Sequence, residues 1–172
     1  MTNTNQNNIN DNIINDNISQ QYFISVLVLI VVLPVVLSLS ECFKFHTALS
    51  FAVFAKWFIF SAAGLRLFVA GLKQAINPSF TARQIFHIES TDSYPILREL
   101  GFANICLGLL GISSLFIPEW RLASAFASGL YYGIAGSQHL LRKPVSKNEY
   151  FALWTDLLIF IVLLICFVLI PA

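Results

Sequence analysis

The chain has 172 residues, of which 57% are hydrophobic and 11% charged, and its mean hydropathy is +0.74. A soluble domain normally carries about 25% charged residues, so the composition excludes an ordinary soluble globule and makes lipid the expected solvent. The net charge is only +1, and no polar segment shows a basic stripe with interleaved aromatics, which excludes a nucleic-acid-binding surface.

Residues 1–20, MTNTNQNNINDNIINDNISQ, are Asn-rich with no Lys or Arg. They cannot bury enough apolar surface to order themselves, and a disordered tail is expected. The remainder, 21–172, reads as one all-α transmembrane domain, a polytopic helix bundle of five spans with the first flanking a four-helix core. The first span covers about 22–40, and Pro34 is expected to kink it. A cleaved signal peptide is the rival reading. It is disfavoured because no positive charge precedes the segment and its apolar run exceeds the usual ~7–15 residues.

The second span, about 49–72, is interrupted by Lys56 and Arg66 and is followed by Lys73. Between Asn77 and Tyr94 runs the longest connection, which is either a plain surface loop or a short helix lying on the membrane surface through Phe80, Ile85 and Phe86. The third span, about 97–117, sits between Pro95 and Pro118 and reads as the helix around which the others pack. At ~100° per residue, Gly101, Asn104, Gly108 and Gly111 share one face, with Glu99, Ala103, Cys106 and Ser113 or Ser114 opposite. Small residues in bilayers mark close helix approach, so neighbours are expected on both sides.

A turn at Pro118-Glu119-Trp120 leads to the fourth span, about 120–141, where Ala125, Gly129 and Gly133 recur every fourth residue. Arg121, Ser128, Tyr132, Gly136 and His139 fall on that face as well. Ser146 with Glu149 fits a capping box that opens the fifth span, about 149–170.

With this count, Lys73, Arg83, Arg98, Arg142, Lys143 and Lys147 flank one side, against Lys44 and Arg121 on the other. The positive-inside rule then predicts a multi-pass inner-membrane protein with a cytoplasmic N-terminus and an external C-terminus.

Chemistry, if any, is expected where ionisable groups enter the bilayer, since each costs ~2.5–3.5 kcal/mol and turns inward to a partner. Topology places Arg66, Glu99, His139 and Asp156 in the same half of the membrane, with Asn104 deeper. These five form the candidate intramembrane polar cluster. Arg66 is expected to pair with Glu99 or Asp156, and Asn104 to act as an interhelical hydrogen-bonding group.

Cys42, Cys106 and Cys166 are isolated, with no metal-ligand or redox spacing. Phosphate-loop, dinucleotide, zinc-protease and hydrolase signatures are absent from the sequence. No catalytic residue, cofactor or metal is therefore expected, and the chain is not expected to be an enzyme.

The runs GLRLFVAGLKQAINPSF and RELGFANICLGLLGISS, the helix ending in GSQHLLRKP, and WTDLLIF resemble an uncharacterised family of small bacterial integral membrane proteins. More distantly they resemble the DoxX-like four-helix membrane proteins. The likeness covers about Leu65 to Phe160. It implies a helical inner-membrane bundle and transfers no reaction. The redox associations of some DoxX-like proteins have no paired cysteines to act through here. The expected function is a small-solute or proton-coupled transport unit, or an accessory subunit of one. The alternatives are a structural or assembly protein and, third, a membrane-embedded redox component. The expected partners are the lipid bilayer and either a second copy or a membrane subunit, with no nucleic acid.

Overall fold

The computed structural model describes residues 18–170; the expectation of a disordered tail at 1–20 lies outside the described residues except for its last three. Among the described residues five long helices form: α1 Gln20–Phe45, α2 Phe51–Ile76, α3 Tyr94–Ser113, α4 Trp120–Arg142 and α5 Lys147–Leu169. Four candidate membrane-crossing helices are long and apolar enough: α1, α2, α5, and α3 with the short turn Thr91–Ser93 before it. The buried face of α4 carries Ser124, Ser128, Gly129, Gly136 and His139, and α4 is not among those four.

Local chemistry sets the helix ends. Ser50 accepts the Val53 N–H at 3.4 Å to open α2, and Ser146 accepts the Glu149 N–H at 3.2 Å to open α5. Pro95 stands in the first turn of α3, where its missing N–H costs nothing. His46 closes α1 in the left-handed region at φ 51°.

Pro34 does not break α1. The helix instead widens into a π-helical stretch at Val28–Val32 just before the proline, and α2 carries another at Ile59–Leu65. A change of helical pitch leaves a carbonyl short of its own partner, and a buried carbonyl must find one elsewhere. The Ser61 hydroxyl of α2 donates to Leu29 O, and the Tyr132 hydroxyl of α4 donates to Ala62 O at 3.0 Å. The two irregular stretches are thus tied to each other and to α4.

α2, not α3, is the central helix. Half of its membrane-length window is buried (50%), against 28% for α3. Ala55, Ile59, Ser61, Ala62 and Ala63 are wholly buried, because a helix small on several sides accepts neighbours on each of them.

The predicted glycine face of α3 does meet α2, backbone to backbone. A Cβ at Gly108 would stand 2.4 Å from Phe68 N, and one at Gly71 2.5 Å from Gly101 O. The expectation of a second neighbour along the opposite face is corrected for most of its length: Glu99, Ala103 and Cys106 are exposed, and only Ser114 at the helix end is buried. On α4 the predicted face is buried, but it packs on α5 side chains, with a Cβ at Gly129 standing 3.4 Å from Leu163 Cβ.

The chain crosses back and forth. Ser19 N–H donates to Asn148 Oδ1 at 2.9 Å, joining the starts of α1 and α5. At the opposite end Glu41 of α1 accepts hydrogen bonds from Lys56 and, at 2.5 Å, from the Trp57 indole N–H of α2. The connector between α2 and α3 contains a short helix, Thr81–Ile85, whose Thr81, Ala82 and Ile85 are buried. It folds over the end of the bundle, where the sequence left a surface loop and an interfacial helix open; a short helix forms, and its buried residues face the protein.

Candidate functional site

Arg66 of α2 is 8% exposed, and its Nη2 donates to Asp156 Oδ1 at 2.9 Å and to Thr155 Oγ1 at 3.2 Å, both on α5. Asp156 is itself 8% exposed. The guanidinium carbon lies 4.9 Å from the centre of the Tyr132 ring, a cation–π contact that is strongest away from water. Ionised groups this deep persist only when paired. Of the two expected partners for Arg66, the structure selects Asp156.

Beside this pair is a cavity of about 190 Å³. Arg66, Asn104, His139 and Asp156 all line it, together with the aromatic rings of Tyr22, Tyr131 and Tyr132. Four of the five residues of the predicted cluster therefore converge. Glu99 does not: it lies on the exposed side of α3, because the face that meets α2 carries Gly101, Asn104 and Gly108.

Asn104 is 2% exposed. Its Nδ2 donates to Gln74 Oε1 of α2 at 2.7 Å, the interhelical bond expected of it, while its Oδ1 has no hydrogen-bond partner.

His139 leads from the cavity to a second cluster that sequence reasoning missed. Glu149, 2% exposed, places Oε1 3.4 Å from His139 Nδ1 and Oε2 3.3 Å from His87 Nε2. Oε2 also accepts the Val145 N–H at 3.1 Å. The capping box is thus half formed: Ser146 caps as predicted, but the Glu149 carboxylate reaches one residue further back and out to two imidazoles. Phe86 stacks on His139 with ring centres 6.4 Å apart, and Arg142 donates to Phe86 O at 3.1 Å. Ser146 and Asn148 both donate to Gln84, at 3.3 Å. These bonds hold the connector over the cavity, which Phe80, Thr81, Ile85 and Phe86 also line.

The signal for this cluster was present in the sequence as His87 and Glu149. They are 62 positions apart, so only the fold shows that they meet. Among the described residues no group of three His, Cys, Asp or Glu side chains is placed to hold a metal ion. The site can hold a small molecule by hydrogen bonds and can hold or pass a proton between imidazole and carboxylate.

No curated protein and no solved structure matches the chain. One family model does match, over residues 12–171, from before α1 to the end of α5, well beyond the Leu65–Phe160 stretch that carried the resemblance. On that match the protein belongs to DUF6790, a family of unknown function.

Proposed function

We propose that this protein is a five-span inner-membrane protein, without enzymatic activity, whose Arg66–Asp156 cavity is the solute-binding station of a small-solute or proton-coupled transport unit. The observation that carries this reading is the cavity itself: a charged pair, an amide and an imidazole converge on one space inside the bundle. The cations Lys73, Arg83, Arg98, Arg142, Lys143 and Lys147 cluster at the cavity end, which on the positive-inside rule is cytoplasmic, with the N-terminus there and the C-terminus outside. α4 counts as the fifth span in this reading because it pairs with α5 along its length and shields its polar face against the bundle. The cavity occupies one half of the bundle, so a complete path requires a second copy of this chain, which the reconstituted protein supplies.

The test uses proteoliposomes loaded with a pH-sensitive dye and challenged with a proton gradient, or shrunk osmotically in glycerol and followed by light scattering. Wild type should carry one of the two above the protein-free rate. The double variant Arg66→Met/Asp156→Leu, which replaces the pair with apolar side chains of similar size, should fold and lose that flux. No flux in wild type overturns the proposal.

A structural role is the second reading, and a specific observation favours it: the Arg66–Asp156 and Tyr132–Ala62 bonds bind α2, α4 and α5 into one unit. Under it, wild type shows no flux and the variants change only stability.

A further inference from the structure

We propose that the ligand of the Arg66–Asp156 cavity is a small solute of zero net charge that carries a hydrogen-bond donor, a class that includes simple amides and polyols. The inference rests on the reading of the cavity as a solute-binding station and adds the ligand's chemistry.

Size comes first. A cavity of about 190 Å³ is well above the ~10–15 Å³ that a single water needs, so it admits a solute of several heavy atoms.

Charge comes second. The Arg66 guanidinium is matched by the Asp156 carboxylate at 2.9 Å, so this pair leaves no surplus charge on the deep wall. Lys73 touches the cavity from an exposed position at the end of α2, its Nζ 3.6 Å from the centre of the Phe80 ring. It belongs to the wet rim. An ion entering past it would shed its hydration with no opposite charge waiting, at a cost that buried groups meet only by pairing.

The donor comes third. Asn104 is 98% buried by its 2% exposure, it lines the cavity, and its Oδ1 accepts no hydrogen bond. A buried acceptor without a partner costs ~1–3 kcal/mol, and an N–H or O–H on the ligand would meet it, next to the Tyr131 hydroxyl that also faces the Asn104 side chain.

The test measures saturation-transfer NMR on the full chain in lipid nanodiscs, with four probes of nearly equal size. Acetamide is neutral with a donor, acetone is neutral without one, acetate is an anion and methylammonium is a cation. Acetamide should give at least a tenfold larger signal than each of the others, and Asn104→Leu should remove that advantage. The ranking on wild type decides the matter even if this variant does not fold. Equal signals from acetone and acetamide overturn the donor assignment. A dominant acetate or methylammonium signal overturns the neutral class while leaving the solute-binding reading standing. Absence of all four signals overturns both, the cavity then holding water alone.

Discussion

Arg66 and Asp156, 90 positions apart in the chain, meet at 2.9 Å in the interior of the bundle, each 8% exposed. Such a pair is costly to form and more costly to break, because removal of one member strands the other as a buried ion. Asp156→Leu should therefore destabilise the protein by about 3–5 kcal/mol, whereas Arg66→Met/Asp156→Leu should come within about 1–2 kcal/mol of wild type or exceed it. Thermal unfolding followed in detergent separates the two outcomes; equal loss in the single and double variants would mean that the ion pair itself holds the bundle together.

The glycines divide by what a methyl group would strike. At Gly108 it would lie 2.4 Å from the Phe68 backbone, and at Gly129 3.4 Å from the Leu163 side chain. Gly108→Ala must push α2 and α3 apart and should cost about 1–3 kcal/mol or more. Gly129→Ala adds an ordinary contact and removes backbone freedom from the unfolded chain, so it should be neutral or stabilising by a few tenths to ~1 kcal/mol. Melting temperatures of the two variants, compared side by side, check the contrast.

The connector is held by side chains of α4 and α5, above all by Glu149, which faces His87, His139 and the Val145 N–H together. Hydrogen bonds to a charged group contribute ~1.5–3 kcal/mol each. Glu149→Leu should release residues 78–88, read as increased amide hydrogen exchange confined to that segment and the start of α5. Glu99→Gln, on the exposed side of α3, should leave exchange unchanged and stability within about 0.5 kcal/mol.

Tyr132 satisfies a carbonyl in the π-helical stretch of α2. Tyr132→Phe keeps the ring over Arg66 but withdraws the hydroxyl, leaving Ala62 O buried without that partner. The expected loss is ~1–3 kcal/mol, measured by unfolding, with faster exchange at Ile59–Leu65 as the local signature. If only global stability falls and that stretch is unaffected, the hydroxyl does not hold the π-helical geometry.

Topology is open to direct reading. With Cys42, Cys106 and Cys166 replaced by alanine, single cysteines at Ser90 and Lys143 should label from the cytoplasmic side, and one at Glu119 from the outside. Labelling of Glu119→Cys from the same side as Ser90→Cys would remove α3 from the count of spans, and from the same side as Lys143→Cys would remove α4.

The helices themselves were legible from sequence to within a few residues. The signals were long apolar runs, Ser50 and Ser146 at helix starts, and Pro95 in a first turn. A lipid solvent forces every backbone group to find its partner inside the same segment, so an apolar run of spanning length has no alternative to a helix. The register of small residues was legible too: Gly101, Asn104, Gly108 and Gly111 share a face by angle alone, and that face is buried.

Angle on one helix does not say which helix lies opposite, and every misreading follows from that. Glu99 and Gly101 are two positions apart on α3, yet only the glycine side met a neighbour, so the carboxylate was left on the perimeter. α3 looked central because its two small faces were visible in sequence, while α2 became central because the π-helical stretch turned Ser61, Ala62 and Ala63 into a hub. The choice of Asp156 over Glu99 for Arg66 is a relation across 90 positions, and the meeting of Glu149 with His87 is one across 62. Local pattern determined which side chains enter the bilayer, whereas pairing among them depends on distances between separate helices, which packing alone sets.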